Sequence, residues 1–128
     1  MVKHKTERII IKMVEAEVDE KIAPVVVWLN SYDSVTTQFS CQGSGNSLPY
    51  ALFCCFDGMD LFDICKKLIQ FATIEVSIST KETQPPGFPP YLRYTARFFS
   101  TRQLAKFVEE IDTWDFWEDL IIDPRSMK

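Results

Sequence analysis

Residues 50–56 read YALFCCF, Tyr50 to Phe56. Successive side chains of a strand point to opposite faces, so a strand that is apolar at both odd and even positions is covered on both sides. This run is therefore read as the central strand of a sheet. Asp57-Gly58 punctuates it. The rest of the chain has to supply its neighbours and its cover.

Upstream, GSGNSLP (43–49) is a flexible turn, and VTTQFSCQG (35–43) leads into it. Strict alternation puts Val35, Thr37, Phe39 and Cys41 on one face of a strand and Thr36, Gln38, Ser40 and Gln42 on the other. The apolar set marks the inner face, so Phe39 and Cys41 are expected inside and Ser40 and Gln42 outside. Before it, VDEKIAPVVVWLNS (18–31) changes period: Ile22, Val25, Val26 and Leu29 fall at i, i+3, i+4 and i+7. That is an amphipathic helix, with Asp19 as its cap, Pro24 near its first turn and Asn30-Ser31 at its end. Ile9 to Val14 alternate as one long first strand.

Downstream, MDLFDICKKLIQFA (59–72) has Leu61, Ile64, Cys65, Leu68 and Ala72 on one side of a second helix. TIEVSIST (73–80) and YLRYTARFF (91–99) alternate as strands on either side of a proline-rich loop, KETQPPGFPP (81–90). Ser100, followed three residues later by Gln103, opens a third helix with a capping-box signature; Leu104, Phe107, Val108 and Ile111 form its core face. TWDFWEDLII (113–122) is a last helical turn or short helix, with Trp114 and Trp117 packing back. The order is β-α-β-β-α-β-β-α over residues 1–128. The expected fold is one α+β domain, an antiparallel or mixed sheet with helices mainly on one face. Its first six elements match the split β-α-β order. Arg93 and Arg97 belong to the open face.

Composition narrows the function. The 128 residues are 46% hydrophobic and 13% aromatic, which argues against disorder. A formal net charge of −4 argues against the phosphate neutralisation that DNA binding requires. No stretch reads as an export signal or a membrane span, so Cys41, Cys54, Cys55 and Cys65 are read as thiols of a cytoplasmic protein. They form no C-x-x-C pair and no His/Cys spacing for zinc.

Several residues carry candidate chemistry. Thr36, Thr37 and Ser40 offer hydroxyls to a polar ligand, or simply suit a strand and turn. Gly43 and Gly45 let backbone amides approach an anion, or make a plain hairpin turn. Cys41 as a nucleophile needs a base; His4, the sole histidine, is remote in sequence, so Cys41 is read as a small buried hydrophobe. Arg93 and Arg97 either hold phosphate or carboxylate groups or form a solvated face paired with Glu75. QPPGFPPY (84–91) is a hairpin loop or a polyproline ligand. Trp114, Phe116 and Trp117 are core or an interface. Asp57, Asp60 and Asp63 lack calcium-loop spacing and are assigned to helix capping.

Leu29, Asn30, Ser31, Thr36, Thr37, Ser40, Cys41 and Gly43 together resemble the wybutosine-synthesis tRNA methyltransferase family, whose helix ends in Leu/Ile-Asn-Ser before Thr-Thr-Ser-Ser-Cys-x-Gly and an apolar strand. The likeness covers roughly the first half of the chain. Here Gln38 and Phe39 stand between the threonines and Ser40, and Ser44 replaces the family's arginine. The resemblance implies a nucleotide-handling cleft beside Cys41, with S-adenosylmethionine as cofactor under a methyltransferase alternative. The short acidic chain also looks like phage or mobile-element accessory proteins. The leading expectation is a cytoplasmic binding protein. It would hold a small polar or nucleotide-like ligand, or a protein partner, through Thr36, Thr37, Ser40, Cys41, Gln42 and Gly43 with Arg93 and Arg97. No DNA and no membrane partner is expected, and a homo-oligomer stays open. A structural interaction module without a ligand is the third reading.

Overall fold

The computed structural model describes residues 4–11, 14–79, 87 and 89–114. The fold is α+β; the described residues form three helices and two antiparallel sheets. Strands β1 (Thr6–Ile11) and β2 (Val14–Asp19) pair antiparallel, Thr6 opposite Asp19 and Ile11 opposite Val14. Helix α1 (Ala23–Asn30) follows, then β3 (Val35–Cys41), β4 (Tyr50–Cys55), α2 (Gly58–Leu68), β5 (Ala72–Ile78), β6 (Leu92–Phe98) and α3 (Thr101–Ile111). The larger sheet has the order β3-β4-β6-β5.

The long first strand expected over Ile9–Val14 is instead the facing ends of two strands. Val14-Glu-Ala-Glu-Val-Asp19 alternates as Ile9–Val14 does, so period alone does not mark where the chain doubles back. The extra strand also corrects Asp19. It ends β2, while Ile22 is the N-cap residue of α1 and makes no side-chain cap bond. Ala72, expected on the second helix, begins β5.

YALFCCF is the central strand: β4 lies between β3 and β6, and Ala51 to Cys55 are all buried. One face carries Val35, Ala51, Phe53, Tyr94, Ala96 and Phe98 into a cluster with Val25, Val26, Trp28 and Leu29 of α1, Ile64 and Leu68 of α2, and Leu104, Phe107 and Ile111 of α3. The starts of α2 and α3 follow the sequence signals. Asp57 accepts a hydrogen bond from the Asp60 amide at 2.9 Å, and Ser100 from the Gln103 amide at 3.0 Å. Trp114 packs back on Trp28 and Phe107 as expected, at 5.6 and 5.7 Å between ring centroids. Phe116, Trp117, most of the stretch expected as a last helical turn or short helix, and most of the stretch expected as a proline-rich loop lie outside the described residues.

Candidate functional site

A bulge in β3 decides what faces where. Thr37 pairs with Phe53 and Phe39 with the next residue, Leu52, so Gln38 is an extra residue in the ladder. One extra residue reverses the alternation beyond it. Thr37 and Ser40 therefore share the helix-facing side, opposite Phe53 and Ala51. Thr36, Phe39 and Cys41 share the other, opposite Cys54, Leu52 and Tyr50. Strict alternation places Phe39 inside; in the structure it is 60% exposed.

Hydrogen bonds hold Thr37, Gln38, Gln42 and Gly43 in place. The Thr37 hydroxyl accepts from Asn30 Nδ2 at 2.8 Å, and the same amide donates to the Val26 carbonyl at 2.8 Å. Gln38 Nε2 donates to the Tyr91 hydroxyl at 2.7 Å. Gln42 accepts from the Lys21 amide at 2.9 Å, and its own amide donates to Asp19 Oδ2 at 3.1 Å. The Gly43 amide points at Cys41 Sγ, 3.4 Å away. Gly43 has φ +85°, and a Cβ there would lie 2.8 Å from the Ser47 carbonyl oxygen. Ser44 and Ser47 exchange backbone hydrogen bonds at 2.8 and 3.1 Å, closing the hairpin turn.

His4 Nδ1 lies 2.7 Å from Asp19 Oδ2. A nitrogen of His4, a carboxylate oxygen of Asp19 and the sulfur of Cys41 lie within 4.8 Å of one another, and all three residues are half-buried. Distance along the chain denies Cys41 a basic neighbour; the β1–β2 hairpin removes that distance. Neither His4 nor Asp19 is among the expected site residues, and their spacing carries no signal for them: they meet only because β2 ends beside the end of β3.

Two cavities flank this corner. A polar one of about 300 Å³ is walled by Glu17, Asp19, Thr37, Gln38, Phe39 and Ser40 with Val18 and Val26. A larger one of about 600 Å³ lies on the other side of Gln42, between the starts of α1 and α3. Pro24, Leu104, Ala105 and Val108 give it apolar walls; Lys21 and Arg102 bring positive charge, beside Glu20 and Thr101.

The arginines do not join the corner as a pair. Four residues along a strand separate Arg93 from Arg97 by about 13 Å. Arg97 lies in the cross-strand row Cys41–Tyr50–Arg97, but its Nε is 3.1 Å from Glu75 and its guanidinium lies over the Tyr50 ring at 5.5 Å. Arg93 Nε and Nη1 are buried without a hydrogen-bond partner among the described residues, as is Gln38 Oε1. Thr36 is exposed and lines neither cavity.

A second polar cluster ties α1 to α2. The Tyr32 hydroxyl donates to Asp63 Oδ2 at 2.5 Å, and Lys67 Nζ reaches the same oxygen at 2.9 Å. Burial and the Asp63 carboxylate hold the Tyr32 phenol well above its usual range. Burial acts to raise Asp63, but hydrogen bonds from Tyr32 and Lys67 and the charges of Lys67 and Lys66 leave it below the usual carboxylate value. Burial, helped by Cys55, pushes the Cys65 thiol up.

Comparison with known proteins finds no matching family model, curated protein or solved structure. The functional reading therefore rests on geometry. Among the described residues no helix is long and apolar enough to cross a membrane.

Proposed function

We propose that this chain is a small binding protein that holds a nucleotide-like ligand against Gln42, in the cleft between α1 and α3. The observation that carries this is the make-up of the roughly 600 Å³ cavity: apolar walls from Pro24, Leu104, Ala105 and Val108, with Lys21 and Arg102 beside them. Its size falls in the range of small-molecule sites, which are mostly apolar with a few placed polar groups. A flat base suits the apolar walls. Phosphate oxygens suit Lys21 and the fork of Arg102. The smaller cavity suits an anion less, because Glu17 and Asp19 wall it without a cation, whereas Lys21 and Arg102 outnumber Glu20 in the larger one. The acidic overall charge supports a small ligand over DNA. Four cysteines without a disulfide are in keeping with the cytoplasm.

The test is calorimetric titration of the full chain with adenosine, AMP, ATP and S-adenosylmethionine. AMP or ATP should bind more tightly than adenosine. Losing one charge-assisted contact in Arg102→Ala or Lys21→Ala should weaken nucleotide binding about tenfold or more. Thr36→Val, on the far face, should change nothing. Absence of nucleotide binding sinks the reading. S-adenosylmethionine binding in preference to ATP would replace it with the methyltransferase alternative.

A further inference from the structure

We propose that His4, Asp19 and Cys41 bind one divalent transition-metal ion of the zinc class. Its three ligands lie outside the lining of the nucleotide cleft, with Gln42 between the two, and the proposal does not depend on a ligand there. Imidazole, carboxylate and thiolate are the three side-chain donors zinc accepts, at about 2.0–2.3 Å. Three ligands around one such ion sit ~3.2–3.8 Å apart in tetrahedral geometry. In the structure one donor atom of each residue already lies within 4.8 Å of the others. On binding, the His4–Asp19 contact of 2.7 Å would open slightly, and the Cys41 separations, at most 4.8 Å, would need to close by no more than about 1 Å.

The surroundings fit a metal better than they fit a chance contact. The three ligands come from the N-terminal segment, the end of β2 and the end of β3, so an ion would pin the small sheet to the large one. The His4 and Asp19 side chains are only 11% and 17% exposed. The Gln42 amide donates to Asp19 Oδ2 at 3.1 Å, the oxygen that also faces His4, and so fixes that carboxylate against the cluster. The Gly43 amide approaches Cys41 Sγ at 3.4 Å, where it would stabilise a thiolate. That amide is aimed by a backbone turn at φ +85°, which glycine adopts without strain. On binding, the Cys41 S–H bond breaks, its proton leaves to solvent and a sulfur–metal bond forms. Neutral His4 contributes whichever ring nitrogen faces the ion and keeps its proton on the other. The fourth position is left to water or to a ligand atom, the pattern of open zinc sites.

The experiment uses the full chain, stripped with chelator and titrated with Zn²⁺ or Co²⁺. Native mass spectrometry should show one ion per chain. Co²⁺ should give a thiolate-to-metal charge-transfer band in the near ultraviolet. Zn²⁺ should slow alkylation of Cys41, read by peptide mass spectrometry, while leaving Cys65 unaffected. Cys41→Ser, Asp19→Asn and His4→Gln should each weaken binding about tenfold or more, the usual scale for a lost contact to a charged group. Substoichiometric metal, a Co²⁺ spectrum without the thiolate band, or alkylation of Cys41 indifferent to Zn²⁺ would overturn the proposal. The wild-type spectrum and alkylation decide the matter even if a variant fails to fold.

Discussion

Around Phe107 the molecule is dry. The rings of Trp28, Phe71, Phe98 and Trp114 lie 5.1, 5.2, 5.6 and 5.7 Å from that of Phe107, which is itself fully buried. Around Cys41 the molecule is polar and half-open, and its contacts are single hydrogen bonds between distant segments: His4 to Asp19, Gln42 to Asp19, Lys21 to Gln42. The first region is held by area and shape, the second by direction. Burial scales with apolar area and tolerates small displacements, whereas a hydrogen bond or a metal ligand fails over a fraction of an ångström. The two regions should therefore break differently.

Phe107→Ala is expected to have the largest effect. It removes a fully buried ring that four aromatic neighbours enclose, and such truncations cost about 3–5 kcal/mol. Chemical denaturation should show that loss in the unfolding midpoint. The dry region is one cooperative body, so the transition should stay single. A cost under about 1 kcal/mol would mean the aromatic cluster packs loosely, and the contrast with the corner would fail.

Gly43→Ala tests the other region. The φ of +85° opposes the change, and so does the Ser47 carbonyl oxygen, which would lie 2.8 Å from the new methyl group. Strain of this kind costs about 1–3 kcal/mol. Gly45→Ala is its control: φ is +54°, but nothing lies within 4 Å of a Cβ there. Gly45→Ala should therefore cost clearly less, about 1 kcal/mol from backbone preference alone. Equal losses at the two positions would show that the close approach to Ser47 contributes nothing. Gly43→Ala should also displace the amide from Cys41 Sγ, a local effect without counterpart in the Phe107 variant.

The same contrast separates what the sequence discloses from what it hides. The dry region is readable because burial writes itself into local periodicity. YALFCCF, apolar at every position but its turn-facing end, has to be a central strand, and Leu104, Phe107 and Ile111 repeat at helical spacing. The caps at Asp57 and Ser100 are equally readable, since each acts over a single turn. The corner is not readable, for three physical reasons. The bulge at Gln38 exists only relative to its partner strand, so nothing in VTTQFSC shows that Phe39 turns outward. β1 and β2 pair antiparallel although the period of two runs on from one to the other. Asp19 suits a helix cap as well as it suits His4, and local reasoning chooses the neighbour in sequence over the one in space. The expected ligand residues are divided among surfaces: Thr37 and Ser40 line the smaller cavity, Gln42 the larger, Cys41 lies on the opposite face of β3 from Thr37 and Ser40, and Arg93 and Arg97 stand apart from each other on the open face.

Asp63 carries the smallest expected effect and the finest test, because it is a polar site on the rim of the dry region. Tyr32 and Lys67 both bind it, and Lys67 Nζ also lies over the Trp114 ring at 5.0 Å. Its carboxyl is held below the usual range in the fold. A carboxyl depressed on folding stabilises the protein above its unfolded value, and that contribution is lost as pH falls through the folded value. The wild type should thus lose thermal stability as pH drops from about 5 toward 3, across the ordinary carboxylate range. Asp63→Asn removes this component, so the gap between wild type and variant should narrow over that window. The side chain is 44% exposed, and exposed i,i+4 pairs contribute only about 0.3–0.5 kcal/mol, so the gap at neutral pH should be small. Parallel melting curves across the window would mean that solvent screens Asp63 completely. In that case direction would matter only at the half-buried corner, and the rim of the aromatic core would be held by packing alone.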